Sequence, residues 1–109
     1  MIIDIHSHCY KHPLPFVTPF YDPERLIKTY DEIGVTKAVL LPVVSPEIYF
    51  PQSVDEVLEI CEAYPDRFIP YCNVDPRAMT NTERAPLIKA LEYYKKKGCK
   101  GVGEVMPNM

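Results

Sequence analysis

Four short apolar segments alternate with three amphipathic segments along the 109 residues, and this alternation restricts the possible folds more than any other feature. The apolar segments predict strands at residues 2–6, 36–44, 68–74 and 101–106. The resulting order, βαβαβαβ, is typical of parallel strands joined by right-handed crossovers. We therefore expect one α/β domain over residues 1–109, either a small open sheet or half of an eight-stranded barrel of about 250 residues.

The predicted second strand, residues 36–44, is apolar almost throughout. Such runs are typical of parallel sheets that are covered on both faces. Pro42 lacks the N–H group that a neighbouring strand would need, so we expect pairing to end near Leu41.

Local signals define the ends of the first predicted helix. Asp22 is a suitable N-cap, and Pro23 fits the first helical position, where a missing N–H costs little. Gly34 provides the left-handed conformation that commonly ends a helix. The sequence therefore predicts a helix over residues 23–33.

Two further helices are predicted after the second and third strands. Ser53 and Glu56 form a capping box at the start of one helix, and Pro65 closes it. Thr82 is the predicted cap of the last helix, with Pro86 in its first turn. The predicted inward faces consist of Val54, Val57, Leu58 and Cys61 in the former helix and of Leu87, Ile88, Leu91 and Tyr94 in the latter.

Charge and composition exclude several classes of partner. The chain has 12 Lys and Arg against 15 Asp and Glu, a formal charge of −3, and no basic patch of the kind that binds nucleic acid or an anionic membrane. The longest apolar run, residues 38–41, is too short to span a bilayer, and no secretory signal precedes His6. We expect a cytoplasmic protein without a nucleic-acid or membrane partner.

The four cysteines, Cys9, Cys61, Cys72 and Cys99, are scattered and form no C-x-x-C pair. In a chain without an export signal, this spacing favours reduced thiols over disulfides or a zinc knuckle. Cys9 follows His8 directly, but a nucleophile needs a base positioned in space, which adjacency in sequence does not supply.

The segment Asp4-Ile5-His6-Ser7-His8 carries the most specific chemical signal. Residues two apart on a strand face the same side, so Asp4, His6 and His8 are expected to project together at the carboxyl end of the first strand. Two neighbouring imidazoles form a pair of nitrogen ligands for Zn²⁺ or a similar ion. Asp4, one step deeper, is expected to orient a ligand or to support the strand end.

Glu104 lies at the carboxyl end of the predicted fourth strand, on the same rim of a parallel sheet as His6 and His8. Gly101 and Gly103 are expected to clear space around its carboxylate or to allow a close backbone approach. Because an unpaired carboxylate is costly inside a barrel, we favour metal ligation for Glu104; pairing with Lys100 is the alternative.

Other candidates have weaker signals. His12 lies in a proline-rich loop and is either solvent-facing or part of a pocket wall with Tyr10, Phe16 and Phe20. The remaining rim candidates are Ser45, Glu47, Tyr49, Asn73 and Asp75. The sequence contains no G-x-S-x-G elbow, no Walker loop and no Rossmann glycine fingerprint, and the missing phosphate-binding loop argues against a flavodoxin-like binding domain.

Four segments in order resemble the amidohydrolase superfamily of metal-dependent TIM-barrel enzymes, and most closely its amidohydrolase-related branch, which includes aminocarboxymuconate-semialdehyde decarboxylase-like proteins. These segments are I-D-I-H-S-H at 3–8, G-V-T-K-A-V-L-L at 34–41, Y-P-D-R-F-I-P at 64–70 and G-C-K-G-V at 98–102. TatD-like nucleases share the Gly-Glu pair, but that match lapses after Glu104. PHP-type phosphoesterases also begin with D-x-H-x-H, but they require a further histidine beyond the three present.

The resemblance implies the N-terminal half of a TIM (β/α)8 barrel with parallel strands. It implies that His6 and His8 are metal ligands and that Glu104 occupies the strand-four ligand position. Zn²⁺ is the expected ion, although Mn, Fe and Co also suit these ligands. The family draws two more histidines and an aspartate from strands five, six and eight, which this sequence does not include.

The implied activity is metal-dependent hydrolysis of C–N or C–O bonds by activated water, with the 109-residue segment alone inactive. The alternatives are decarboxylation of an unsaturated or aromatic acid on the same scaffold, and a non-catalytic half barrel. In a half barrel the first and fourth strands are unpaired edges, so we expect marginal stability and homo-oligomers or association through these edges.

Overall fold

The computed structural model describes residues 1–12, 20–44 and 52–105, and the predicted alternation of strands and helices is confirmed. The elements are β1 (Ile3–Ser7), α1 (Pro23–Ile33), β2 (Lys37–Leu40), α2 (Val54–Ala63), β3 (Phe68–Cys72), a short 3₁₀ turn (Pro76–Ala78), α3 (Leu87–Lys96) and β4 (Gly101–Val102).

The four strands form a parallel sheet in the order β1-β2-β3-β4. Each neighbouring pair of strands is connected through a helix, which is the repeating unit of a (β/α)8 barrel. The fold is therefore the predicted half of a TIM barrel. Its strands end on a common rim, and that rim carries the polar candidates.

The ends of α1 confirm the local signals. The Asp22 carboxylate accepts a hydrogen bond of 2.8 Å from the Arg25 N–H. Gly34 adopts a φ of 78°, and its N–H donates to the Tyr30 carbonyl. A residue with a Cβ would be strained at this φ, which is why the helix ends at this glycine.

The start of α2 is also as predicted, because the Ser53 hydroxyl accepts a hydrogen bond of 3.1 Å from the Glu56 N–H. The inward face differs from the prediction at two positions. Ile60 is buried, whereas Leu58 is only partly buried and packs against the small cluster of Val54, Cys72 and Cys99.

The predicted start of α3 is wrong. The Thr82 hydroxyl accepts from the Arg84 N–H, and the Thr82 carbonyl accepts from the Ala85 N–H, so both groups are used in a separate turn. Pro86 has a non-helical ψ of 52°, and the helix begins only at Leu87.

The predicted inward stripe of α3 is wrong in part. No residue of this helix is buried, and Ile88 is 73% exposed. Leu91 and Tyr94 are partly buried against a small cluster of Val54, Cys72 and Cys99.

Strand pairing ends close to the predicted positions. The Leu41 N–H still donates to the Ser7 carbonyl at 3.0 Å, and pairing stops before Pro42. β4 is much shorter than expected, although the Gly103 N–H donates to the Cys72 carbonyl at 2.8 Å and extends the contact by one residue. Met106, the predicted end of this strand, lies outside the described residues.

The main core lies between the sheet and the helices α1 and α2. Its buried members are Cys9, Leu26, Tyr30, Ala38, Leu40, Val57, Ile60, Cys61 and Phe68. All four cysteines are buried and free, which confirms the reduced thiols. Burial raises the pKa of the Cys9 and Cys61 thiols to about 12, so these thiols are protonated and unreactive at neutral pH.

Within the described ranges, no helix has the length and apolar character needed to cross a lipid bilayer.

Candidate metal centre

His6, His8 and Glu104 meet at the carboxyl rim of the sheet. The Nε2 atoms of His6 and His8 are 3.2 Å apart. The Glu104 Oε2 atom lies 3.3 Å from His6 Nε2 and 3.5 Å from His8 Nε2. The three side chains come from opposite ends of the chain, and the parallel sheet places them on one rim.

The triangle formed by these three atoms has the dimensions of a metal site. In tetrahedral zinc coordination with bonds of about 2.0–2.1 Å, neighbouring ligand atoms lie about 3.3 Å apart. The three observed separations, 3.2, 3.3 and 3.5 Å, are all close to that value. The donor set, two imidazole nitrogens and one carboxylate oxygen, is also one that zinc and similar ions bind.

The orientation of His8 favours ligation through Nε2. Its Nδ1 atom lies 2.9 Å from the carbonyl oxygen of Leu41. A carbonyl only accepts, so Nδ1 carries the proton and Nε2 of the neutral ring presents a lone pair to the cluster. A backbone carbonyl on the second ring nitrogen is the usual support of a metal-binding histidine.

With neutral rings, the cluster has more acceptors than donors. The Glu104 carboxylate and His8 Nε2 both accept, and His6 Nε2 is able to supply one proton to one of them. A divalent cation would satisfy all three atoms at once. The residues present therefore fit a metal ion.

Burial differs among the three side chains. The His6 side chain is 58% exposed, that of Glu104 is 32% exposed and that of His8 is 14% exposed. The Phe20 ring lies 5.6 Å from the His8 ring, and Tyr10 stacks on Phe20 at 5.0 Å. This aromatic pair shields one side of His8 and leaves His6 open to solvent.

The Asn73 side chain supports Glu104 by binding the backbone of Glu104. Its side-chain amide donates to the Glu104 carbonyl and also contacts the Pro42 carbonyl at 3.4 Å. Asn73 is buried, so its side-chain amide forms hydrogen bonds with these carbonyls in place of water. The predicted rim position of Asn73 is thus at the site, where its contacts are with backbone carbonyls.

Asp4 does not project together with His6 and His8 as expected. Asp4 pairs with Ala38, whereas Ser7 pairs with Leu40, so β1 contains one extra residue between these two pairs. The extra residue breaks the two-residue alternation. The Asp4 carboxylate instead accepts from the His6 backbone N–H at 3.0 Å and from the Tyr30 hydroxyl at 2.7 Å. Its predicted role in supporting the strand end agrees with these contacts.

Gly101 clears space for a ring rather than for the Glu104 carboxylate. A Cβ atom at Gly101 would lie 2.4–2.8 Å from atoms of the Tyr71 ring. At Gly103 the nearest atom to a Cβ would be in Leu41 at 3.5 Å, an ordinary contact. Of the two expected reasons for Gly101, the close backbone approach is therefore confirmed, and the approach is to the Tyr71 ring.

The remaining candidates lie outside this cluster or outside the described residues. His12 is exposed and is not part of the group of three. Asp75 binds Arg77, with 2.6 Å between Asp75 Oδ2 and Arg77 Nη2. The candidates Phe16, Ser45, Glu47 and Tyr49 lie outside the described residues.

Tyr30 and Ser7 lie next to the site, although the sequence pattern did not indicate either of them as a site residue. The helical spacing of α1 indicated Tyr30 only as a core residue. Its hydroxyl contacts depend on how α1 packs on β1, and no local pattern in the sequence encodes them.

Comparison with known proteins gives a likeness to a solved structure. No protein-family profile matches the chain, and no curated protein matches it. Among solved structures, the chain is similar to one described as a probable 2-pyrone-4,6-dicarboxylic acid hydrolase from Acinetobacter baumannii with citric acid bound. The match covers 93% of this chain and 36% of that chain, with a TM-score of 0.56 and 24% identity.

At this level of identity the likeness supports the fold. The chain spans little more than a third of the length of that neighbour.

Proposed function

We propose that this chain is the amino-terminal part of a metal-dependent hydrolase of the amidohydrolase-related kind, with His6, His8 and Glu104 as metal ligands. The observation that carries the proposal is the triangle of ligand atoms with sides of 3.2, 3.3 and 3.5 Å on the carboxyl rim of parallel strands. Active sites of (β/α)8 barrels lie on this rim. The solved neighbour, described as a hydrolase, supports the same reaction class.

Zinc is the ion that we propose, because the separations fit tetrahedral coordination with bonds of about 2.0–2.1 Å. When bound, a divalent ion supplies Lewis-acid activation of a carbonyl carbon and of the attacking water. The chain's own residues hold and orient that ion. His8 is the most firmly held of the three, because its Nδ1–H donates to the Leu41 carbonyl at 2.9 Å.

His6 and Glu104 have different tasks in this proposal. The exposed His6 ring faces the side from which a small-molecule substrate approaches. The carboxylate of Glu104 contributes negative charge, which lowers the net charge of the site when a divalent ion is present. The further ligands and the general base of a complete site belong to the remainder of such a barrel.

Metal analysis of the purified chain tests the ligand assignment. We expect the wild-type chain to bind a single zinc ion in calorimetric titration and to retain it on dialysis. His6→Ala/His8→Ala should lose this binding. His12→Ala is the matched control, because it removes an exposed imidazole outside the cluster and should bind zinc as the wild type does. Equal zinc content in the wild type and the double variant would overturn the assignment.

Hydrolase activity needs a separate test on the complete protein from which this half barrel comes. We expect the His6→Ala/His8→Ala double variant of that protein to lose hydrolysis of carboxylic-acid esters and lactones, while His12→Ala keeps it. Full activity in a zinc-free double variant would overturn the proposed reaction class.

A further inference from the structure

The Tyr30 hydroxyl of α1 contacts two residues of β1 at the same time. It lies 2.7 Å from Asp4 Oδ2 and 2.7 Å from Ser7 Oγ. Tyr30 and Ser7 are both buried. These contacts form a small polar network inside the interface between α1 and the sheet.

The direction of each hydrogen bond follows from counting protons. Tyr30 has one hydroxyl proton, and the Asp4 carboxylate is able only to accept. The Tyr30 hydroxyl therefore donates to Asp4 and accepts from the Ser7 hydroxyl. Burial raises the pKa of Tyr30 to about 12, so the hydroxyl keeps its proton at neutral pH.

The two contacted residues lie on either side of the irregularity in β1. Asp4 pairs with Ala38 and Ser7 with Leu40, which leaves Ile5 and His6 opposite the single residue Val39. An extra residue of this kind bends a strand and redirects its side chains. His6 lies within this bulge, and its backbone N–H donates to Asp4 Oδ1 at 3.0 Å.

We propose that Tyr30 is a positioning residue of the metal site: by bridging Asp4 and Ser7 it holds the bulge that brings the His6 and His8 rings together. The inference rests on the proposed metal ligation. The connection is continuous, since one carboxylate links the Tyr30 hydroxyl to the backbone of the ligand His6. Ser7 anchors the other side, because its carbonyl accepts from Leu41, whose own carbonyl accepts from His8.

The prediction is selective for one hydroxyl group. Tyr30→Phe keeps the ring in the core and removes the bridge. Tyr64→Phe is the matched control, because Tyr64 packs against the same core and its hydroxyl contacts Glu24 of α1 at 3.4 Å, away from β1. Loss of metal affinity in both variants would indicate a general effect of changes to this core rather than an effect of the Tyr30 bridge.

Two readouts separate this inference from the proposed function. The centroids of the His6 and His8 rings are 5.1 Å apart. The first readout is therefore the nuclear Overhauser effect between these two rings in the metal-free chain. The second is the affinity for Co²⁺ or Zn²⁺, measured by titration. We expect Tyr30→Phe to weaken the ring-to-ring signal and to lower metal affinity about tenfold or more, as the loss of an outer partner of a metal ligand does. Tyr64→Phe should leave both unchanged.

Other results would contradict either the positioning role of Tyr30 or the proposed function. Wild-type values of both readouts in Tyr30→Phe would overturn the inference, and so would equal losses in Tyr30→Phe and Tyr64→Phe. A wild-type chain that binds no metal, with a ring-to-ring signal lost only in Tyr30→Phe, would overturn the proposed function and support the positioning role.

A second pair of variants covers the case in which Tyr30→Phe does not fold. Asp4→Asn keeps an oxygen that accepts from the His6 N–H, and its amide is able to donate to the Tyr30 oxygen. We expect this variant to retain most of the ring-to-ring signal, while Asp4→Ala loses it. Equal signals in the two Asp4 variants would contradict the proposal.

Discussion

The side-chain amide of Asn73 donates a hydrogen bond to the backbone carbonyl of Glu104, and this contact ties the residue after β3 to the second residue after β4. Glu104 lies beyond the short strand β4, so the sheet alone fixes its position only in part. The buried amide of Asn73 supplies the missing connection.

Asn73→Ala should therefore weaken metal binding as well as the fold. Loss of the amide leaves the Glu104 carbonyl without this donor, which should cost about 1–3 kcal/mol of unfolding free energy. Zinc affinity should fall about tenfold or more, because the carboxylate ligand loses its support. Calorimetric titration and thermal melting measure the two effects. Unchanged zinc affinity in a folded Asn73→Ala chain would show that Glu104 does not depend on Asn73.

Predictability from the sequence depends on whether a feature is local. The two ends of α1 depend on local contacts. The Asp22 carboxylate caps the N–H group three residues ahead, and Gly34 supplies the left-handed backbone conformation that ends the helix. Both ends of this helix were therefore predicted correctly. The start of α3 was missed because Thr82 is equally able to form a turn with Arg84.

In the candidate site, too, some positions were predictable from the sequence and others were not. The shared rim of His6, His8 and Glu104 was predictable, because parallel strands end on one edge of their sheet. The position of Asp4 was not predictable, because the extra residue in β1 appears only in the register with β2. The contact that Asp4 makes with Tyr30 joins residues 26 positions apart, and no short pattern encodes it.

Gly101→Ala should destabilise the chain because of the Tyr71 ring. A Cβ at this position would lie 2.4–2.8 Å from ring atoms, so the ring or the strand must move. Overpacking of this kind costs about 1–3 kcal/mol. Gly103→Ala is the comparison, with its nearest contact at 3.5 Å, and should cost less. Urea unfolding of the two variants measures the difference, and equal losses of stability would contradict the steric explanation.

The buried thiols predict a loss of stability at alkaline pH. Burial raises the pKa of Cys61 from 9.0 to about 12 in the folded chain. The folded state therefore holds this proton more tightly than the unfolded state, and its stabilising effect is complete below pH 9 and is lost as pH rises towards 12. One such group gives a slope of about 1.4 kcal/mol per pH unit.

Cys61→Ala should make this slope shallower above pH 9 and leave the slope below pH 8 unchanged. Urea unfolding at a series of pH values under reducing conditions measures both slopes. The variant should be less stable than the wild type at neutral pH, because the shorter side chain leaves a small cavity in the core. An identical alkaline slope in the two proteins would show that Cys61 does not contribute to it.

The outer edge of β1 predicts that the chain associates. Among the described strands, β1 pairs only with β2, so its other edge presents unpaired backbone N–H and carbonyl groups. Ile5 on this strand is 77% exposed, and its neighbour Ile3 is also exposed. An apolar, unpaired edge strand is a template for pairing with a second chain. We expect sedimentation velocity to show association that increases with protein concentration.

Ile5→Lys should reduce this association, because a charged side chain on an edge strand opposes pairing. Ile88→Lys is the matched control: Ile88 is 73% exposed on the outer face of α3, away from the sheet edge, and the substitution changes net charge by the same amount. If association runs through the β1 edge, Ile5→Lys shifts the chain towards monomer and Ile88→Lys does not. An equal shift in both variants would assign the effect to net charge, and a wild-type chain that stays monomeric at all concentrations would contradict edge pairing altogether.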